Sequence, residues 1–131
     1  MELRLEVAWP FEGRPESAGS PAGAIWLLND AVLVNLDGTS LPSWVYEQND
    51  VWTTEEQLIE VLERDGIGEL DGNEVGPSET VLYLYGPDAD ALHAVIKPVL
   101  LANPLCQVAR VTVRYGDASA PTRKERIPMR N

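Results

Sequence analysis

The chain predicts an α+β fold on three observations. Leu3, Leu5, Val7 and Trp9 alternate with Glu2, Arg4, Glu6 and Ala8, the period of two expected of a half-buried strand. Leu58, Ile59, Val61 and Leu62 recur at helical spacing, as do Leu92, Val95, Ile96, Val99 and Leu100. Residues 81–85 and 109–115 are short runs rich in β-branched and aromatic side chains, which suit a pleated surface.

In chain order, the first strand covers residues 2–9 and Pro10 ends it. Residues 12–23 have turn and loop composition without periodicity. Residues 24–36 are apolar, interrupted by Asn29-Asp30, and read either as a buried helix or as two short strands. Asp37-Gly38 is a hairpin turn signal, and Pro42 makes the return arm an edge strand. Thr53-Thr54-Glu55-Glu56 is a capping box opening a helix over 54–65, and Gly66 suits the left-handed position just past its end. Residues 69–76 form a short strand or irregular arm around Asp71-Gly72, followed by the strand at 81–85. Asp88 caps the second helix, with Asp90 at the positive end of its dipole. Pro98 removes one of that helix's hydrogen bonds, and Asn103-Pro104 ends it. Val111, Val113 and Tyr115 alternate with Arg110, Thr112 and Arg114 in a last strand.

With residues 12–51 set aside, the order is strand, helix, strand, strand, helix, strand. That is the order of a ferredoxin-like βαββαβ sandwich, with an insertion at about 12–51, part of it a β-hairpin, after the first strand. Both helices then lie on one face of an antiparallel sheet. The other face is either covered by the insertion, which carries Trp26 and Trp44 and is followed at once by Trp52, or left open to a partner. Residues 1–116 make one domain. Residues 117–131 are a basic tail that either folds back on the acidic body or stays disordered.

The 131 residues carry a formal charge of −11, unevenly placed. Residues 1–109 hold 4 basic and 19 acidic side chains, and residues 110–131 hold 6 basic and 2 acidic ones. An acidic body repels phosphate backbones, so nucleic acid is not expected as a partner and a basic protein is favoured. Cys106 is the only cysteine, which fits a reducing compartment. The first ten residues lack the basic start and apolar run of a signal peptide. No apolar run approaches the ~20 residues that cross a bilayer. The expected location is cytoplasmic, without membrane association.

Candidate chemical sites are few. Asp71-Gly72-Asn73-Glu74 with Gly76 resembles the start of a calcium loop, but Val75 and Leu82 stand where ligands are needed, so a plain turn is expected. Asp88 and Asp90 read as helix-start carboxylates rather than a metal pair. His93 falls one position off the apolar stripe, with Lys97 one turn on, and reads as a solvated surface residue. Cys106 reads as a small buried filler. There is no glycine-rich phosphate loop, no Gly-x-Ser-x-Gly elbow and no His-Glu-x-x-His. No catalytic residue, metal or cofactor is assigned.

Gly68-Glu-Leu-Asp-Gly-Asn-Glu-Val-Gly76, Leu82-Tyr-Leu-Tyr-Gly-Pro-Asp-Ala-Asp-Ala-Leu92 and Arg110-Val-Thr-Val-Arg-Tyr-Gly116 resemble a pattern of small uncharacterised bacterial proteins. The resemblance spans residues 66–116. It implies an α+β fold and a bacterial origin, and gives no residue a role.

The expected function is a non-catalytic acidic protein-binding module, of which an immunity- or antitoxin-like protein is one form, with Trp26, Trp44, Trp52, Tyr83 and Tyr85 as its partner surface. One alternative is a structural or regulatory homodimer that buries the open sheet face. The other is a small hydrolase or isomerase using Asp71, Glu74 and Asp88.

Overall fold

Five antiparallel strands and three helices make up the part of the chain that the computed structural model describes, residues 30–117 and 119–129. The predicted strand at 2–9 and the first part of the insertion, with Trp26, lie outside the described residues. In chain order the elements are β1 (Asp30–Asp37), α1 (Ser43–Gln48), α2 (Val51–Asp65), β2 (Glu69–Val75), β3 (Glu79–Gly86), α3 (Ala89–Ala102), a 3-10 turn (Pro104–Cys106), β4 (Arg110–Arg114) and β5 (Thr122–Arg126). The sheet order is β2-β3-β1-β4-β5, and every neighbouring pair is antiparallel.

The second half of the expected insertion is therefore part of the framework. β1 is the central strand, with Val34 opposite Leu82 on one side and Val111 on the other. The expected hairpin at Asp37-Gly38 does not form. The Asp37 carboxylate instead accepts from Thr39 N at 2.9 Å, Ser40 N at 2.8 Å and Ser40 Oγ at 2.6 Å, closing a local turn. Pro42 then sits as N-cap of α1, at φ −55° and ψ 144°, rather than in a return strand. A proline has no N–H to lose there, and β1 already has a neighbour on each side.

α2 starts a turn before the expected capping box. Asp50 is its N-cap, accepting from Thr53 N at 2.6 Å, and Gly66 closes its far end at φ 63°. α3 begins where expected, with Asp88 accepting from Asp90 N and Ala91 N, and continues through Pro98 to Ala102. The segment after residue 117 folds back. β5 pairs with β4, and Ile127 N donates to Ala109 O at 2.9 Å.

Alternation assigns the two sheet faces. Val32, Val34, Leu36, Leu82, Leu84, Val111 and Val113 form one buried cluster with Leu58 and Leu62 of α2 and with Leu92, Ile96 and Leu100 of α3. Both long helices thus cover the same face. The opposite face carries Leu33, Val81, Tyr83 and Tyr85, all half-buried. Among the described residues no helix is long and apolar enough to cross a membrane.

Candidate functional site

α2 buries Thr54, Leu58 and Leu62 and turns its other side outward. Positions 52, 56, 60 and 63 recur at helical spacing, which aligns Trp52, Glu56, Glu60 and Glu63 on one exposed stripe. Trp52 is 70% exposed, far beyond what a core tryptophan shows. β2 runs beside α2, and Asn73 Nδ2 donates to Glu55 Oε2 at 2.7 Å to tie the two together. Burial at this junction raises the Glu55 carboxyl above its ordinary value, and the bond from Asn73 opposes that shift.

The two elements make one flank with eight carboxylates, split between the faces of the sheet: Glu55, Glu56, Glu60, Glu63 and Asp65 on α2, on the helical side, and Glu69, Asp71 and Glu74 on β2, where Glu69 and Glu74 stand opposite Tyr85 and Val81 and so share the face away from the helices. Its one base, Arg64, is held by Asp65 at 3.1 Å. Such a surface projects a negative potential into solvent and attracts cations before contact.

The other edge of the sheet is basic, and several of its charges are paired within the fold. Arg110 Nη2 meets Glu79 Oε1 at 2.5 Å. Arg123 lies 3.6 Å from Asp90, which also accepts from Tyr115 Oη at 2.8 Å. Glu125 of β5 bonds Lys97 and, at 2.6 Å, His93 Nε2, both on α3. The Lys97 bond does most to hold the Glu125 carboxyl below its ordinary value. His93 is thus not the solvated residue its helical position implied. β5 folds over that side and leaves it 12% exposed.

The expected partner residues do not form one surface. Trp44, 48% exposed, stands on α1 and Trp52 on α2, on the helical side of the sheet. Tyr83 and Tyr85 point from β3 to the opposite face. Tyr83 Oη donates to Glu74 Oε1 at 2.7 Å, and burial, with that bond, pushes its phenol upward. Burial also raises Tyr85, over whose ring the Arg114 guanidinium lies at 5.9 Å.

The carboxylates named for hydrolysis have separate local tasks. Glu74 holds Tyr83, and Asp88 caps α3 at 3.0 and 3.1 Å. Among the described residues no group of three or more His, Cys, Asp or Glu is placed to hold a metal ion. Cys106 is fully buried in the core, and burial pushes its thiol up to about 12, so it is not a ready thiolate.

Sequence reasoning found the acidic body but not this flank. The spacing of Glu56, Glu60 and Glu63 was readable; the adjacency of α2 and β2 was not. Comparison with known protein families, curated proteins and solved structures finds no match.

Proposed function

We propose that this chain is a non-catalytic protein-binding module that receives a basic protein partner on the acidic flank of α2 and β2. The observation that carries this reading is the eight carboxylates there against a single, internally engaged arginine. Opposed charge speeds encounter and selects the partner, while an exposed aromatic such as Trp52 supplies contact area once docked. The same chemistry serves an immunity-type antitoxin that neutralises a basic target.

The test compares affinity capture by the native chain and by the triple variant Glu56→Lys, Glu60→Lys, Glu63→Lys. A basic protein should be held by the native chain, released near 0.5 M salt where the screening length is only a few ångströms, and not held by the variant. Equal retention by both chains overturns the reading.

A finer reading of the fold goes with this one. The order β2-β3-β1-β4, with α2 following β1 and α3 following β3, supports a ferredoxin-like sandwich in which β1 takes the place expected for residues 2–9 and β5 extends the sheet. A second functional reading, a homodimer, is favoured by Leu33, Val81 and Tyr83 on the face away from the helices. Light scattering behind size exclusion tests it: a dimer that persists near 0.5 M salt supports burial of that face, and a monomer at all concentrations removes it.

A further inference from the structure

The sheet face away from the helices carries its charge in columns. On one edge β2 contributes Glu69 and Glu74, opposite Tyr85 and Val81 of β3. On the other edge β5 contributes Lys124 and Arg126, opposite Thr112 and Arg110 of β4. All four charged side chains are exposed. Between the columns lie Val81, Tyr83 and Tyr85 of β3 and Leu33 of β1, the apolar and aromatic middle of the face. Tyr83 Oη is already taken up by Glu74, so its ring offers contact area without a stranded hydroxyl.

The face has the size an interface needs. Strands about 4.8 Å apart, rising about 3.3 Å per residue, give it a footprint on the order of 500 Å² per copy. Two such faces bury about 1,000 Å², where specific interfaces begin.

We infer that this face binds a second copy of the chain about a two-fold axis that runs along β1. The inference rests on the homodimer reading and fixes its geometry. β1 is the middle strand of five. A half-turn about it lays β2 on the partner subunit's β5 and β3 on the partner subunit's β4, so an acidic edge meets a basic one on both sides of the axis. An axis across the strands would lay β2 on β2 and β5 on β5, like charge on like. A partner of one charge sign would be drawn to one edge and repelled by the other, whereas a second copy presents both signs in the right places. Sheets packed face to face keep their strands within about 30° of each other, an offset that side chains as long as glutamate, lysine and arginine span.

The test uses three full-length variants. The first carries Glu69→Lys and Glu74→Lys, the second Lys124→Glu and Arg126→Glu, and the third all four changes. Light scattering behind size exclusion should give a dimer for the native chain and a dissociation constant raised about tenfold or more for each of the first two. The third should dimerise again, because acid still faces base at both edges. Its net charge equals that of the native chain, and its recovery shows that the reversed edges fold. A native dimer that the first two variants leave intact, or that the third fails to restore, overturns the axis along β1 while the homodimer reading stands. A native monomer at all concentrations overturns both and leaves the face to another occupant.

Discussion

Asn103, just past the end of α3, donates from its side chain to Thr54 Oγ1 in the first turn of α2 at 3.0 Å, across 49 positions of sequence. The same amide reaches Gln57 Oε1 at 3.0 Å, and Asn103 Oδ1 accepts from Leu105 N at 2.9 Å. Asn103 and Thr54 are both buried, so removing one side leaves the other's polar group without water. Asn103→Leu should cost about 2–3 kcal/mol in urea unfolding, and Thr54→Val about 1 kcal/mol because Gln57 still accepts. A double-mutant cycle should show coupling, and additive losses would contradict the bond.

Acid should loosen the turn after β1. The Ser40 hydroxyl, followed by the Ser40 and Thr39 amides, holds the Asp37 carboxyl down to about 2 from 3.8. The folded value is the lower one, so the stabilisation is complete above 3.8 and is lost as pH falls through about 2. Asp37→Asn should flatten the pH dependence of the unfolding midpoint in that window. Ser40→Ala should raise the Asp37 value in a carboxyl NMR titration, and an unmoved titration would refute the assignment.

The C-terminal segment should behave as core. Ile127 is 1% exposed within the main cluster, whereas Met129 is 51% exposed. Ile127→Ala should cost about 2–4 kcal/mol through a lost side chain and a cavity. Met129→Ala should stay within about 0.5 kcal/mol, as surface changes do. Equal melting temperatures for the two variants would mean that β5 does not hold Ile127 in place.

Two glycines should fail for different reasons. Gly68→Ala puts a methyl 2.4 Å from a backbone oxygen, so β2 and β3 must separate, at about 2–3 kcal/mol or more. Gly66→Ala meets open space and carries only the left-handed strain of φ 63°, about 1 kcal/mol. Thermal unfolding that ranks them the other way would contradict the close approach of Gly68 to Tyr85 O.

Local signals read well where one rule decides. α3 was legible because Asp88, Leu92, Ile96 and Leu100 all lie within its own stretch. At the start of α2, Asp50 and Thr53 both satisfy the capping rule, and Asp50 prevails, leaving Thr54 to be buried against Asn103. Asp37-Gly38 suits a hairpin and a side-chain turn equally. The choice came from farther away: Tyr46 Oη, in α1, donates to Asp37 O and accepts from Leu41 N, both at 3.1 Å. β5, Thr-Arg-Lys-Glu-Arg, has no apolar alternation at all. It is ordered by charge pairs to α3 and by Ile127 beyond its end, partners that no window of sequence contains. The acidic flank was half visible for the same reason. Its carboxylates can be counted along the chain, but the Asn73–Glu55 contact that joins its two halves is tertiary.

The central place of β1 has a kinetic consequence. Both of its neighbours come late in the chain, with Asp30 opposite Gly86 and Asn35 opposite Arg110. Pairing across such separations closes long loops first, which slows folding towards the millisecond-to-second range. Until then Ala31-Val32-Leu33-Val34 is an uncharged, apolar strand with two unpaired edges, the kind of segment that joins a neighbouring molecule instead. Refolding yield should therefore fall as protein concentration rises, while the finished fold, with that strand enclosed on both sides, tolerates crowding.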